Sequence, residues 1–162
     1  TQSKKPILLK IAPDLENEEL ISIVGVCQKH KISGIIATNT TTERPNLKSN
    51  NHKEIGGLSG KPLFDMSNTT LAKLYYLSAG KVPLIGVGGI FSGKDAYKKI
   101  CLGASAIQLY TALIYQGPNV VRHILNELND LLDRDGYQNI SEAVGSKNHQ
   151  YLMEETDRSI FG

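Results

Sequence analysis

The side chains with the most chemistry to offer stand in a few short stretches. Lys10 interrupts the apolar run Pro6-Ile7-Leu8-Leu9-Lys10-Ile11-Ala12-Pro13, where an ammonium is costly unless something anionic or electron-rich compensates it. A lysine snorkelling to solvent is the plainer alternative. Thr38-Asn39-Thr40-Thr41-Thr42 gathers four hydroxyls and a carboxamide. An Asn amide both donates and accepts, so Asn39 can pair with the amide-like edge of a heterocycle while Thr38 and Thr40 hold a second ring; solvent-exposed turn polars look the same in sequence. Ile85-Gly86-Val87-Gly88-Gly89 breaks an apolar run into paired glycines, and a helical pattern begins at Asp95 after Phe91-Ser92-Gly93. Glycines admit close backbone approach, and the free N–H groups of a helix start attract an anion, usually phosphate. A tight strand-to-helix turn would use the same glycines for backbone geometry alone.

Elements that would carry these residues can be read from the same pattern. Apolar runs at Pro6 to Pro13, Ser33 to Ala37, Leu84 to Val87 and Gly103 to Ala112 have strand length and no polar alternation, as expected of a parallel sheet covered by helices. Between them lie helical periodicities. Asp14 reads as the cap of a helix burying Leu20, Ile23, Val24 and Cys27, and Ser67 as the cap of one carrying Leu71, Leu74 and Tyr75. Ala96, Tyr97 and Ile100 face inward on a third, and Val120, Val121, Ile124, Leu125, Leu128 and Leu131 form the stripe of a long helix from about Pro118 to Leu132, with Gly136 as its stop. Glu43 to Ile55 is polar and aperiodic, a long loop over the site. Gly56-Gly57-Leu58-Ser59-Gly60-Lys61-Pro62 closes it with glycines that again permit close approach. Residues 140–145 look like a turn or two of helix, and 146–162 reads as a polar tail.

Strand then helix, four times over, means a parallel sheet with right-handed crossovers. Each strand ends in glycines or polar residues, and Tyr110-Thr111 can complete a phosphate site between consecutive barrel strands. Four strands are half of the eight that close a (β/α)8 TIM barrel, so the expected fold is α/β, the C-terminal half of such a barrel (strands five to eight) over residues 1–145.

The 162 residues, 40% hydrophobic and 21% charged with a formal charge of +2, suit a soluble α/β domain. No Lys/Arg block exceeds two residues, which gives no nucleic-acid stripe and no polybasic membrane anchor. Cys27 and Cys101 sit inside apolar patterns without CxxC spacing or histidine partners, which reads as buried thiols rather than a metal site. No apolar stretch reaches the ~20 residues of a transmembrane helix.

With those stretches placed, the sequence resembles the dihydroorotate dehydrogenases, specifically their class 2, quinone-dependent branch. The motifs that carry the resemblance run in order: Leu9-Lys10-Ile11-Ala12-Pro13-Asp14-Leu15, Thr38-Asn39-Thr40-Thr41, Gly56-Gly57-Leu58-Ser59-Gly60-Lys61-Pro62-Leu63, Ile85-Gly86-Val87-Gly88-Gly89-Ile90 and Gln108-Leu109-Tyr110-Thr111-Ala112-Leu113. The resemblance implies a flavoenzyme that oxidises dihydroorotate to orotate through bound flavin mononucleotide (FMN) and passes the electrons to ubiquinone, in de novo synthesis of UMP. Carried over residue by residue, it assigns Lys10 to the pyrimidine edge of the flavin, Thr38 to a flavin contact, and Asn39 and Thr40 to the pyrimidine ring of the substrate. It assigns Ser59 and Gly60 to the ribityl region, Val87, Gly88, Gly89, Leu109, Tyr110 and Thr111 to the FMN phosphate, and Tyr110, Leu113, Ile114 and Pro118 to the apolar tunnel for ubiquinone. The catalytic base of class 2 resembles a serine in the first half of the barrel, so no catalytic residue is expected in these 162 positions, and Ser59 belongs to a flavin motif. The resemblance also implies a further N-terminal segment of the same protein as partner, no metal, no nucleic acid, and membrane contact only through that other segment. The implied location is the mitochondrial inner membrane, with a bacterial inner membrane as the alternative. Another phosphate- or flavin-binding barrel enzyme, or a non-catalytic member of the fold, stays open at this level.

Overall fold

The structure is a computed structural model that describes residues 5–44, 47 and 50–161, with the backbone alone for residue 52 and residues 158–161. Residues 1–4, 45, 46, 48 and 49 lie outside the described residues, and with them part of the expected loop.

Four short strands, β1 (Leu8–Ile11), β2 (Gly34–Ala37), β3 (Leu84–Val87) and β4 (Ala106–Gln108), pair in parallel in the order β1-β2-β3-β4. Helix α1 (Asn17–His30) connects the first pair and α2 (Phe64–Ser78) the second. Helix α3 (Gly93–Leu102) precedes β4, and α4 (Thr111–Gln116), α5 (Asn119–Arg134), α6 (Ile140–Ala143) and α7 (Asn148–Phe161) follow it. Because side chains alternate across a strand, the register places Ile35 and Leu84 on one face, and Ile11, Ala37 and Gly86 in line with them. That face packs on Leu20, Val24 and Cys27 of α1 and on Leu71 and Leu74 of α2. Lys10, Ile36 and Ile85, also in register, take the opposite face. The expected α/β parallel architecture is what forms, and both cysteines are buried free thiols.

Several boundaries differ from expectation, each for a local reason. Helix α1 is capped by Glu16, whose N–H donates to the Glu19 carboxylate at 2.9 Å. Asp14 is not the cap; its carboxylate accepts from the Thr41 hydroxyl. Helix α2 starts at Phe64, straight out of a 3-10 turn at Lys61–Leu63, so Ser67 lies inside the helix and is fully buried. Helix α3 is capped by Ser92, with Asp95 as the third helical residue. The run Gly103 to Ala112 is not one strand: β4 keeps three residues and α4 begins at Thr111. Gly136, at φ +79°, follows the end of α5 in the left-handed conformation expected of a helix stop.

The expected polar tail is helix α7. Asn148 anchors it, nearly fully buried, with Nδ2 donating to the carbonyls of Ala72 at 3.0 Å and Leu102 at 2.7 Å. Tyr151 and Leu152 then pack on the core formed by α1, α2 and the sheet. Two inward residues among many polar ones give little periodicity, which is why the sequence pattern hides the helix.

Candidate functional site

The strand ends and the loops after them enclose one cleft. Its lining comprises Lys10, Thr38, Asn39, Thr40, Ser59, Gly60, Leu63, Val87, Gly88, Gly89, Ile90, Phe91, Gln108, Leu109, Tyr110, Thr111 and Ala112. Every residue expected to hold substrate or flavin is among them. Among the described residues of the lining, Lys10 is the only charged side chain, and they include no carboxylate. Hydroxyls, backbone and one ammonium make a surface suited to an anion.

Each wall is held by identifiable contacts. Beyond β2 the chain enters the cleft through a cis peptide bond between Ala37 and Thr38. Thr38 is nearly fully buried; its N–H donates to Val87 O at 3.0 Å, tying this strand end to the glycine loop, and its hydroxyl donates to Asn39 O at 2.9 Å. The Asn39 N–H donates to Ile11 O at 2.6 Å, and Asn39 Oδ1 accepts the Thr40 N–H at 2.9 Å. With one lone pair of that oxygen engaged, the exposed Asn39 presents chiefly its Nδ2 donors. Thr41 and Leu58 exchange backbone hydrogen bonds at 3.2 and 2.8 Å, which brings Ser59 and Gly60 to the rim. The Thr111 hydroxyl donates to Ser59 Oγ at 3.1 Å and so links the last strand end to the same rim. Arg44 clasps the loop between these segments, its guanidinium donating to the carbonyls of Thr42 at 2.9 Å, Glu43 at 3.1 Å, Glu54 at 3.3 Å and Gly56.

The glycine loop has a physical requirement for its residues. Gly88 (φ +115°) and Gly89 (φ +72°) adopt backbone that other L residues rarely take. A Cβ on Gly89 would also stand 2.5 Å from Phe64 Cβ and 2.7 Å from Phe64 Cα, inside the start of α2. Both packing and dihedral angle therefore demand glycine here, and backbone alone faces the cleft.

One expectation is corrected. The start of α3 was expected to offer free N–H groups to an anion, but protein groups already take them: the Phe91 and Ser92 amides donate to Asp95 Oδ2 at 2.9 and 3.0 Å, the Gly93 amide to Glu127 Oε2 at 2.6 Å, and the Asp95 amide to Ser92 Oγ at 3.2 Å. Any anion must rest on the glycine loop and the residues entering α4 instead.

Of the four residues expected to line a quinone tunnel, Tyr110 lines the cleft, and Leu113 packs on the cluster of Ile90, Ala112, Val120 and Ile124. Ile114 on α4 and Pro118 just after it are exposed. Leu63, Ile90, Phe91, Gln108 and Ala112 are lining residues to which the sequence reading gave no role; all but Phe91 lie within quoted motifs and Phe91 follows one, so proximity was the available signal. Lys99 was also missed, although it falls three residues after the inward Ala96 on α3 and is fully buried.

Comparison with known proteins follows the same outline. The family profile described as dihydroorotate dehydrogenase matches residues 1–132. The dihydroorotate dehydrogenase (quinone) of Trichodesmium erythraeum is 50% identical over 155 residues, covering 91% of this chain and 41% of its own length. The mitochondrial dihydroorotate dehydrogenase (quinone) of Oryza sativa subsp. japonica is 49% identical over 143 residues, covering 87% of this chain and 30% of its own length. The crystal structure of the Eimeria tenella enzyme in complex with ferulenol superposes with a TM-score of 0.86 at 44% identity, covering 91% of this chain and 40% of that one. This chain thus spans at most about two-fifths of the length of these relatives. Identity of this order over about nine-tenths of the chain, with a family profile matching residues 1–132, makes the chain a member of the dihydroorotate dehydrogenase family.

Proposed function

We propose that the protein to which this chain belongs oxidises dihydroorotate to orotate with bound FMN and delivers the electrons to ubiquinone, as a step of UMP synthesis. The observation that carries the reading is the convergence in one cleft of every residue assigned to substrate or flavin, on an uncharged donor surface with a single cation. Those residues fit FMN: two glycines that leave only backbone at the cleft, the paired Ser59 and Thr111 hydroxyls, and Lys10. FMN held there would supply a two-electron acceptor for the hydride from C6 of the substrate and a donor for the quinone.

This chain's residues would bind and orient. Val87, Gly88 and Gly89 with Leu109, Tyr110 and Thr111 hold the phosphate, and Ser59 and Gly60 the ribityl chain. Lys10 places positive charge at the pyrimidine edge of the ring, where negative charge develops on reduction. Asn39 Nδ2 and the Thr40 hydroxyl donate to the substrate ring. Thr38, with its hydroxyl held by its own chain, supports the flavin ring by packing. Tyr110, Leu113, Ile114 and Pro118, on and beside α4, offer the apolar surface for quinone. The base that removes the C5 proton, the remaining strands of the barrel and any membrane contact belong to other parts of the protein. For its location we favour the mitochondrial inner membrane, with the rice relative named mitochondrial and bacterial relatives at equal identity as the counterweight.

The test is orotate formation by the full-length protein with a ubiquinone analogue, fumarate or NAD in parallel. Turnover with the quinone analogue alone is expected. Turnover only with fumarate or NAD would overturn the acceptor, and bound flavin without turnover under any condition would overturn the enzyme reading.

A further inference from the structure

Lys99 of α3 is buried with no exposed surface, directly behind the glycine loop. Its Nζ donates to Ser67 Oγ at 2.7 Å and Asn68 Oδ1 at 2.8 Å and lies 5.1 Å from the centroid of the Phe64 ring. Burial lowers its pKa from 10.5 to about 7, a shift that Asp95 and Asp65 oppose and Lys98 adds to. The surroundings are arranged for the ammonium at some cost. Asn68 turns its oxygen to Lys99, and Asn68 Nδ2 is the buried side-chain nitrogen left without a partner among the described residues.

The cluster reaches the loop through Ser67. Its oxygen receives the lysine and lies 2.9 Å from Phe64 O and 3.2 Å from Gly88 O, acceptors for its single proton. The absence of side chains on the loop makes the approach possible: a Cβ on Gly86 would stand 3.1 Å from Lys99 Cδ, and one on Gly88 2.9 Å from Ser67 Oγ. The Gly88 carbonyl is therefore turned toward the helix layer. A carbonyl pointing into the cleft would repel an anion, whereas a hydroxyl polarised by a cation is a stronger donor to hold it back.

We propose that Lys99 is a positioning residue for phosphate binding: acting through Ser67, it keeps the Gly88 carbonyl out of the cleft and sets positive charge behind the loop. The inference rests on the reading of this cleft as the FMN phosphate site. It is tested by titrating FMN and riboflavin, which lacks the phosphate, into flavin-free full-length protein and following flavin fluorescence for wild type, Lys99→Met and Ser67→Ala. Wild type should prefer FMN strongly. Both variants should lose roughly ten-fold in FMN affinity, the scale of one well-oriented hydrogen bond to charge, with riboflavin changed by less than about two-fold. A merely structural loss would weaken both flavins alike and overturn the inference, as would variants that keep the wild-type preference. Wild type without preference for FMN would instead overturn the phosphate-site reading itself. Ser67→Ala leaves the lysine in place, so it decides the matter if Lys99→Met fails to fold.

Discussion

Replacing Gly89 by alanine separates two reasons for a glycine. The first is conformational: at φ +72° an alanine costs about 1–2 kcal/mol. The second is steric, since the new methyl would lie 2.5 Å from Phe64 Cβ, 2.7 Å from Phe64 Cα and 2.9 Å from Phe64 N. Two of those atoms are backbone at the first residue of α2 and cannot rotate aside, so the helix start must shift, at the ~1–3 kcal/mol typical of overpacking. Gly136→Ala supplies the control. It has φ +79° and nothing within 4 Å of the added Cβ, so it incurs the conformational cost alone. Thermal unfolding of the full-length variants, followed by far-UV circular dichroism, should place Gly89→Ala below Gly136→Ala by the steric part. At about 2–4 °C per kcal/mol for a domain of 150 residues or more, that is roughly 2–12 °C. Equal melting temperatures would refute the claim that contact with Phe64 fixes this residue. Equal temperatures with loss of flavin from Gly89→Ala alone would show that the glycine serves the ligand rather than the packing.

Asn148→Ala removes the donor that satisfies Ala72 O and Leu102 O. Leaving buried carbonyls short of a partner costs about 1–3 kcal/mol, so α7 should become cleavable by protease and its amides should exchange faster, while unchanged exchange would deny it an anchoring role. Asp135 accepts from Arg134 Nε at 2.8 Å, the Tyr97 hydroxyl at 2.6 Å and Lys147 Nζ at 3.1 Å, and these bonds, Arg134 first, hold its carboxyl well below the usual range. A carboxyl depressed in the folded state stabilises above its unfolded pKa of about 4, and that contribution is lost as pH falls through the lower folded value. Asp135→Asn should therefore melt lower than wild type at neutral pH and converge with it in acid; a constant gap across that range would count against the assignment. Asn39→Ala should raise KM for dihydroorotate in the full-length enzyme and leave FMN content unchanged, and loss of flavin instead would move Asn39 from the substrate to the cofactor.

How much of this molecule was legible in its sequence varies with the kind of force involved. Apolar runs and 3.6-residue periodicity located all four strands and the helices from α1 to α3 and α5, because burial of one face governs those elements. The cleft was legible too, since ligand-facing residues fall at strand ends and gather there whatever the exact boundaries. The starts of α5 and α6 were as expected, but those of α1, α2 and α3 were not. Asp14 and Ser67 both favour caps, yet α1 is capped by Glu16 and α2 starts out of a 3-10 turn, and α3 begins at Gly93 behind its cap Ser92, two residues before the expected Asp95, where competition between neighbouring polar groups is settled by tertiary geometry.

The correction at α3 and the buried Lys99 have one cause. A sequence shows which groups can bind an anion but not whether the protein has already supplied one. Glu127, on another helix, reaches across 34 residues of sequence to the Gly93 amide, and Asp95 folds back on its own first turn, so the helix start that looked like an anion site is neutralised from within. The cation behind the glycine loop is a lysine that the periodicity places on the inward face but whose residue type points to solvent. On the proposed reading, anion binding at this cleft depends on internal pairing as much as on the glycine motif. A homologue with the same glycines but with the counterparts of Asp95, Glu127 and Lys99 replaced would expose the helix start and leave the loop carbonyl unheld. In such a homologue the anion should move from the loop toward α3, an outcome that a phosphate-soaked crystal would show directly.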